Sequence, residues 1–154
     1  MGDLDCLICE EDRGRAHELM TDLGYSCSAD QGNVWVYQKG MVVIEMHSRI
    51  AGNNISNGVD YMQFFSDAVN QIAEEDEELC LKREYHFCFL IYHIAKHISS
   101  TGDGVRMFMD LVIFLKHYGM TFDKEKAERM LKEASLDKVA VTIENLCDRW
   151  FDFG

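Results

Sequence analysis

Two carboxylates stand one residue apart at the start of the first apolar run of the sequence. Asp3 and Asp5 are followed at once by Cys6-Leu7-Ile8. If this run is a β-strand, both acidic side chains point to the same face, with Cα atoms roughly 6.5 to 7 Å apart. Magnesium prefers oxygen ligands and keeps positions for water and substrate phosphates, so such a pair can serve phosphoryl or nucleotidyl transfer. A capping or surface acidic pair is the alternative, and the pair alone does not exclude it.

A third acidic side chain lies within the β-branched run from Met41 to Ile50. Strand geometry places Glu45 and His47 on one face of this run, because side chains two apart along a strand share a face. Residues 33–38 alternate valine with large aromatic side chains. They are predicted to form the neighbouring strand of a hairpin, with Lys39-Gly40 as its turn.

An acidic residue in the middle of a core strand needs a compensating interaction. Burial of Glu45 costs free energy unless the residue lies at an edge, is paired or binds a metal ion. Asp3, Asp5 and Glu45 converge if their two strands are neighbours, and three carboxylates then form one candidate metal site.

The remaining chain shows the spacing of helices, with apolar side chains three and four residues apart. The predicted helices are Glu11–Leu23, Tyr61–Ile72, Glu84–Ser99, Val105–His117, Asp123–Ala134 and Leu136–Phe151. Gly52–Gly58, rich in Asn, Ser and Gly, is the clearest loop. The sequence therefore predicts an α+β fold, in which a small mixed or antiparallel sheet domain, residues 1–58, precedes a helical bundle domain, residues 59–154.

Three local features accompany these helices. The first helix is expected to present Ala16, Leu19, Met20 and Leu23 on one apolar face. The acidic stretch Glu74–Glu78 is expected to be a solvated helix end. Asp123 is expected to cap the helix that follows it, because its short carboxylate can accept a hydrogen bond from an unpaired backbone N–H.

Three histidines follow one stripe of a predicted helix, since His86, His93 and His97 are seven and four residues apart. The pair His93 and His97 offers two imidazole ligands for zinc, although the sequence shows no clear third ligand. Two alternatives stay open for this pair: satisfied, partly buried side chains, or side chains that face a substrate.

Arg106 and Asp110 are four residues apart on the next predicted helix. They form either a surface ion pair or a phosphate site in which Asp110 orients the guanidinium of Arg106. The second interpretation has a geometric basis, because a guanidinium fork matches two phosphate oxygens.

The order of these motifs resembles one protein family. Gly2-Asp3-Leu4-Asp5-Cys6-Leu7-Ile8 and Val43-Ile44-Glu45-Met46-His47 are similar to motifs of the uncharacterised nucleotidyltransferase family. His93-Ile94-Ala95-Lys96-His97, then Gly104-Val105-Arg106 and Asp110-Leu111, are similar to that family's histidine-rich helix and Gly-x-Arg-x-x-x-Asp helix. The resemblance covers nearly the whole chain and keeps the order of the motifs.

The resemblance implies a catalytic fold like that of DNA polymerase β. It implies metal-dependent transfer of a nucleoside monophosphate from a nucleoside triphosphate to an unidentified acceptor hydroxyl. It also implies that Asp3, Asp5 and Glu45 are the catalytic acids and hold Mg²⁺ (or Mn²⁺). A second set of residues is implied to meet the substrate: His47, Lys96, His97, Arg106 and Asp110.

Members of this family usually carry, before the first motif, a helical segment and a glycine-containing motif that contacts the nucleotide phosphates. Because the sequence begins at Met1-Gly2, we expect this segment to be lacking, through a late start or natural shortening. The alternative hypothesis is therefore a catalytically inactive binding or regulatory module. In that case an exposed strand edge favours homodimerisation or strand exchange.

Composition limits the partners of the chain. It has 27 acidic and 15 basic residues and a formal net charge of −12, which repels polyanions and argues against broad nucleic-acid binding. No run approaches the roughly 20 apolar residues that span a bilayer, and the N-terminus lacks the features of a signal peptide. We therefore expect a cytoplasmic protein without a membrane partner, whose 6 cysteines are reduced thiols.

Overall fold

The computed structural model describes residues 4–52, 55–75, 78–100 and 105–151. The strands in these residues are β1 Leu4–Leu7, β2 Ser26–Asp30, β3 Val34–Lys39, β4 Val42–His47, β5 Ile72–Glu75 and β6 Glu78–Leu81. The α-helices are α1 Arg13–Asp22, α2 Tyr61–Phe64, α3 Arg83–Ser100, α4 Arg106–Tyr118, α5 Lys124–Glu133 and α6 Asp137–Phe151. Two 3₁₀ turns, Glu10–Asp12 and Ala68–Gln71, complete these elements. The predicted α+β class is confirmed.

The chain folds as two compact units. The first unit comprises Met1–Gly52 and Phe65–Asn70, and the second comprises Asn53–Phe64 and Gln71–Gly154. The larger sheet belongs to the first unit, whereas helices α3 to α6 belong to the second.

A mixed four-stranded sheet forms the first unit, in the order β1-β4-β3-β2. β1 and β4 are parallel, whereas β3 pairs antiparallel with both β4 and β2. The predicted hairpin is confirmed, but its turn lies one residue later, since Lys39 pairs with Val42 and leaves Gly40-Met41 as the loop. Gly40 has a φ of 60°, a left-handed conformation that glycine adopts without steric cost.

One face of this sheet packs against α1. Trp35 and Met46 on this face form a buried core with Met20 of α1, and Trp35 is only 2% exposed. The predicted apolar face of α1 is only partly correct, because Leu19 and Leu23 are 57% and 52% exposed. The buried stripe centres on Met20, and Leu19 lies about 100° from it around the helix axis.

The predicted helix Tyr61–Ile72 is wrong. α2 covers only its first turn, and Ile72 instead begins β5, where it pairs with Leu81 of β6. Glu74 belongs to β5 and Glu78 to β6, so the expected solvated helix end is also wrong. Local periodicity cannot detect the pairing with β6, whose backbone hydrogen bonds stabilise the extended conformation.

Helices α3 to α6 enclose the core of the second unit. Its fully buried side chains include Tyr61, Ile91, Tyr92, Leu111 and Ile143. The rings of Tyr61 and Tyr92 are 4.7 Å apart, and the Tyr61 hydroxyl donates to the carbonyl oxygen of Ala134 at 2.8 Å. Among the described helices, none is both long and apolar enough to cross a lipid bilayer.

The start of α5 is fixed by two carboxylates. The predicted cap is confirmed, since the Asp123 carboxylate accepts a hydrogen bond from the backbone N–H of Lys126 at 3.0 Å. Glu84 of α3 accepts from the backbone N–H of Asp123 and from Nζ of Lys126, each at 3.0 Å. Burial raises the pKa of Glu84, but these hydrogen bonds outweigh it, and the net shift is downward from 4.5.

The lowered pKa of Glu84 gives a pH-dependent prediction. Its stabilising contribution is fully present above the unfolded pKa of 4.5 and is lost as the pH falls through the lower folded pKa. Glu84→Gln is therefore expected to lower the free energy of unfolding by about 1 kcal/mol near neutral pH and by much less at about pH 3. Urea denaturation measures both values. Exposed Glu128→Gln is the control, and an equal loss at both pH values for Glu84→Gln would contradict the assignment.

Candidate metal centre

The parallel pairing of β1 with β4 places Asp5 directly opposite Glu45. His47 lies two residues further along β4. All three side chains share the sheet face opposite the core that contains Trp35. The sequence predicted that Asp5 and Glu45 converge if their strands are neighbours, and β1 and β4 are neighbours.

His47, predicted to meet the substrate, lies between the two carboxylates. Its Nε2 atom is 2.8 Å from Asp5 Oδ1 and 3.5 Å from Glu45 Oε2. The side chains of Glu45 and His47 are 29% and 22% exposed, whereas that of Asp5 is 59% exposed. With a proton on Nε2, His47 donates a hydrogen bond to Asp5 and holds two like charges at one place on the sheet.

The donor atoms of these three side chains fit a divalent cation. One ligand atom from each of Asp5, Glu45 and His47 lies within 4.8 Å of the other two. Adjacent ligands of an octahedral ion with bonds of about 2.1 Å lie about 3 Å apart, which is close to both distances measured from Nε2. In the described part of the chain, no other group of three His, Cys, Asp or Glu side chains has this spacing.

Apolar side chains flank the cluster. Val36 of β3 pairs with Glu45, while Leu7 of β1 and Val34 of β3 pair with His47. All three apolar residues are partly buried. They give Glu45 and His47 apolar neighbours, while the Asp5 side chain is 59% exposed to solvent.

Asp3, a predicted metal ligand, lies outside the described residues, as does Gly104 of the family motif. The role of Asp3 as a metal ligand therefore stays a prediction.

The histidines of α3 form one pair and one separately packed side chain. The Nε2 atoms of His93 and His97 are 2.9 Å apart, and the His93 ring stacks on Phe89 with centroids 5.6 Å apart. His86 packs edge-on against Phe114, and burial lowers its pKa, which favours the neutral imidazole. No third ligand from the described residues joins His93 and His97 in a three-ligand group, so the zinc interpretation gains no support.

The other residues predicted to meet the substrate lie on two helices. Lys96 and His97 are partly buried on α3, and Arg106 and Asp110 are exposed on α4. No ion pair joins Arg106 to Asp110, both of which lie in the described ranges. These four residues belong to the second unit and the Asp5 cluster to the first, so their convergence on one substrate stays a prediction.

A cavity that the sequence did not indicate lies on the α1 side of the same sheet. Its volume is about 330 Å³, and its lining includes Arg13, His17, Asp30, Trp35 and Tyr37. Arg13 pairs with Asp30 and lies 4.4 Å from the centre of the Trp35 ring, while His17 Nδ1 is 3.0 Å from the Tyr37 hydroxyl. Arg13 and Asp30 are 17 residues apart, and no helix or strand periodicity links them.

Comparison with known families identifies the class of protein that carries this cluster. A family model described as an uncharacterised nucleotidyltransferase matches residues 1–152. Because this match spans nearly the whole chain, the chain belongs to that family, and the resemblance noted in the sequence is confirmed. The chain is therefore a nucleotidyltransferase-like protein. No curated protein and no solved structure matches it.

Proposed function

We propose that the protein transfers a nucleoside monophosphate from a nucleoside triphosphate to an acceptor hydroxyl, with a divalent cation as cofactor. The observation that supports this proposal is the cluster of Asp5, Glu45 and His47 on one sheet face of a chain of the nucleotidyltransferase family. Carboxylates at this spacing are the usual means of holding a divalent cation against substrate phosphates.

The carboxylates have the main chemical roles in this proposal. Asp5 and Glu45, together with Asp3, hold the cation. When bound, the cation supplies stabilisation of the charge that develops on the attacking and leaving oxygens. The acceptor oxygen bonds to the α-phosphorus, the bond from that phosphorus to the β-phosphate oxygen breaks, and pyrophosphate leaves. Glu45 also takes the proton of the acceptor hydroxyl, for which its carboxylate oxygens are suited.

The remaining residues implied by the family resemblance are proposed to contact the substrate. Lys96, His97 and Arg106 are proposed to meet the phosphates or the acceptor. Orientation of Arg106 by Asp110 would require a side-chain rearrangement, because no ion pair joins these two residues. The net charge of −12 opposes the approach of a free triphosphate, so cationic side chains and the metal ion must offset it locally. The same charge disfavours a long nucleic-acid acceptor and favours a small molecule or a protein.

Nucleotide binding tests the proposal most directly. Calorimetric titration of ATP and GTP into the wild-type chain is expected to show binding only when Mg²⁺ or Mn²⁺ is present. Glu45→Gln is expected to weaken that binding at least about 10-fold, because it removes one of the charges that hold the ion. Exposed Glu18→Gln, on α1 of the same unit, changes the net charge equally and is the matched control.

Two results would count against the proposal. Nucleotide binding without a metal ion, or equal binding by wild type and Glu45→Gln, would show that the cluster does not serve the nucleotide. No binding by any variant would instead support the catalytically inactive module as the function of this chain.

A further inference from the structure

We infer that His47 is a direct ligand of the cation and that its imidazole makes this site prefer first-row transition ions such as Mn²⁺ over Mg²⁺. The inference rests on the proposed function for the purpose of the site, but its test needs only metal binding. It adds a nitrogen ligand to the carboxylates that the sequence predicted.

The Nε2 atom of His47 lies close to the carboxylate oxygens of Asp5 and Glu45, as a third ligand of the same ion would. The alternation of β4 puts Glu45 and His47 on one face, and the register with β1 brings Asp5 opposite Glu45. Nε2 is directed toward oxygens of both carboxylates, at 2.8 and 3.5 Å. Because adjacent ligands of an octahedral ion lie about 3 Å apart, the three atoms can bind one ion with small side-chain adjustments.

The chemistry of this donor set separates the candidate ions. Magnesium takes oxygen ligands almost exclusively and loses water reluctantly, so an imidazole contributes little to its binding. Manganese and the later first-row ions accept imidazole together with carboxylate. Two oxygens and one nitrogen, and also the set with a third oxygen from Asp3, leave coordination positions open, as a site that must accept substrate phosphates requires.

A different role for His47 makes a different prediction. If the imidazole only orients Asp5 by a hydrogen bond, its nitrogen stays outside the coordination sphere. His47 is then a positioning residue, and its loss weakens Mg²⁺ and Mn²⁺ binding to a similar extent.

Electron paramagnetic resonance of bound Mn²⁺ distinguishes these roles. Electron spin echo envelope modulation of the wild-type complex is expected to show coupling to a directly bound nitrogen. Growth with ¹⁵N-labelled histidine should alter that coupling, and this test needs no substitution. His47→Gln is expected to abolish the coupling and to weaken Mn²⁺ binding at least about 10-fold, while Mg²⁺ binding, measured by competition, changes less than about twofold.

Two control variants locate the nitrogen. His17→Gln removes a histidine from the same unit, and a His93→Gln/His97→Gln double variant removes the pair of adjacent imidazoles on α3. Both are expected to keep the nitrogen coupling. A wild-type complex without nitrogen coupling, or a coupling that survives in His47→Gln, would overturn the inference.

Failure of the inference and failure of the proposed function give different results. If Mn²⁺ shows nitrogen coupling but the chain binds no nucleotide, His47 is a metal ligand and the proposed nucleotidyl transfer is contradicted. If nucleotide binding depends on the metal but shows no nitrogen coupling, the proposed function is supported and the assignment of His47 as a ligand is contradicted.

Discussion

Asp5→Asn is expected to lower the proposed nucleotidyl transfer at least about 10³-fold, because a charge that holds the proposed metal ion would contribute several kcal/mol to the transition state. The amide is nearly the same size as the carboxylate but carries no charge, and it is a weaker ligand for a hard cation. The substitution also removes the charged partner of His47 Nε2, which lies 2.8 Å from Asp5 Oδ1. Both changes affect the metal cluster, and neither removes a packing contact of the core.

The exposure of Asp5 allows this effect to be separated from misfolding. Its side chain is 59% exposed, so Asp5→Asn should change the free energy of unfolding by less than about 0.5 kcal/mol. Asp22→Asn is the matched control, since Asp22 is an exposed carboxylate at the end of α1 in the same unit. Its activity should equal that of the wild type.

Transfer of label from an α-phosphate-labelled nucleoside triphosphate, measured under single-turnover conditions, gives the rate of the chemical step. Thermal denaturation of both variants provides the folding control. If Asp5→Asn keeps more than about a tenth of the wild-type rate, Asp5 does not hold the catalytic ion.

Sequence patterns predicted the strand that carries Glu45 and His47 because alternation within one strand is a local property. The alternation of residue types along β3 and along β4 shows which side chains share a face of each strand, and no information about the remaining chain is needed. The same holds for Asp123, whose capping role depends only on the next three residues.

Pairing between distant residues was beyond these patterns. Asp5 and Glu45 meet because β1 joins β4 in parallel across 40 residues of sequence (45 − 5 = 40), and only the family resemblance suggested this pairing. β2 was missed because Ser26–Asp30 is mostly exposed and lacks an apolar alternation. β5 was assigned to a helix because its partner β6 decides its conformation.

The position of His47 between the carboxylates was only partly predictable. Strand alternation placed it on the same face as Glu45, but the direction of Nε2 depends on the register of β1 against β4. Residue type does not choose among the roles of His47, because a histidine beside a carboxylate can contact a substrate, orient an acid or bind a metal. Its predicted contact with the substrate stays a prediction.

Leu111→Ala is expected to lower the free energy of unfolding of the second unit by about 2 to 5 kcal/mol, the usual loss when a fully buried leucine leaves a cavity. Leu111 is 0% exposed, whereas Ile113, two residues further along α4, is 62% exposed. Ile113→Ala removes a similar apolar volume from the same helix and should change the free energy of unfolding by less than about 0.5 kcal/mol. Urea denaturation followed by far-ultraviolet circular dichroism measures both changes, because helices dominate that signal.

The same pair of variants tests whether the metal cluster depends on the helical unit. Asp5, Glu45 and His47 all belong to the first unit, so Leu111→Ala should leave Mn²⁺ affinity unchanged under conditions in which the chain is folded. A parallel loss of Mn²⁺ affinity and stability in Leu111→Ala would contradict a cluster built by β1 and β4 alone.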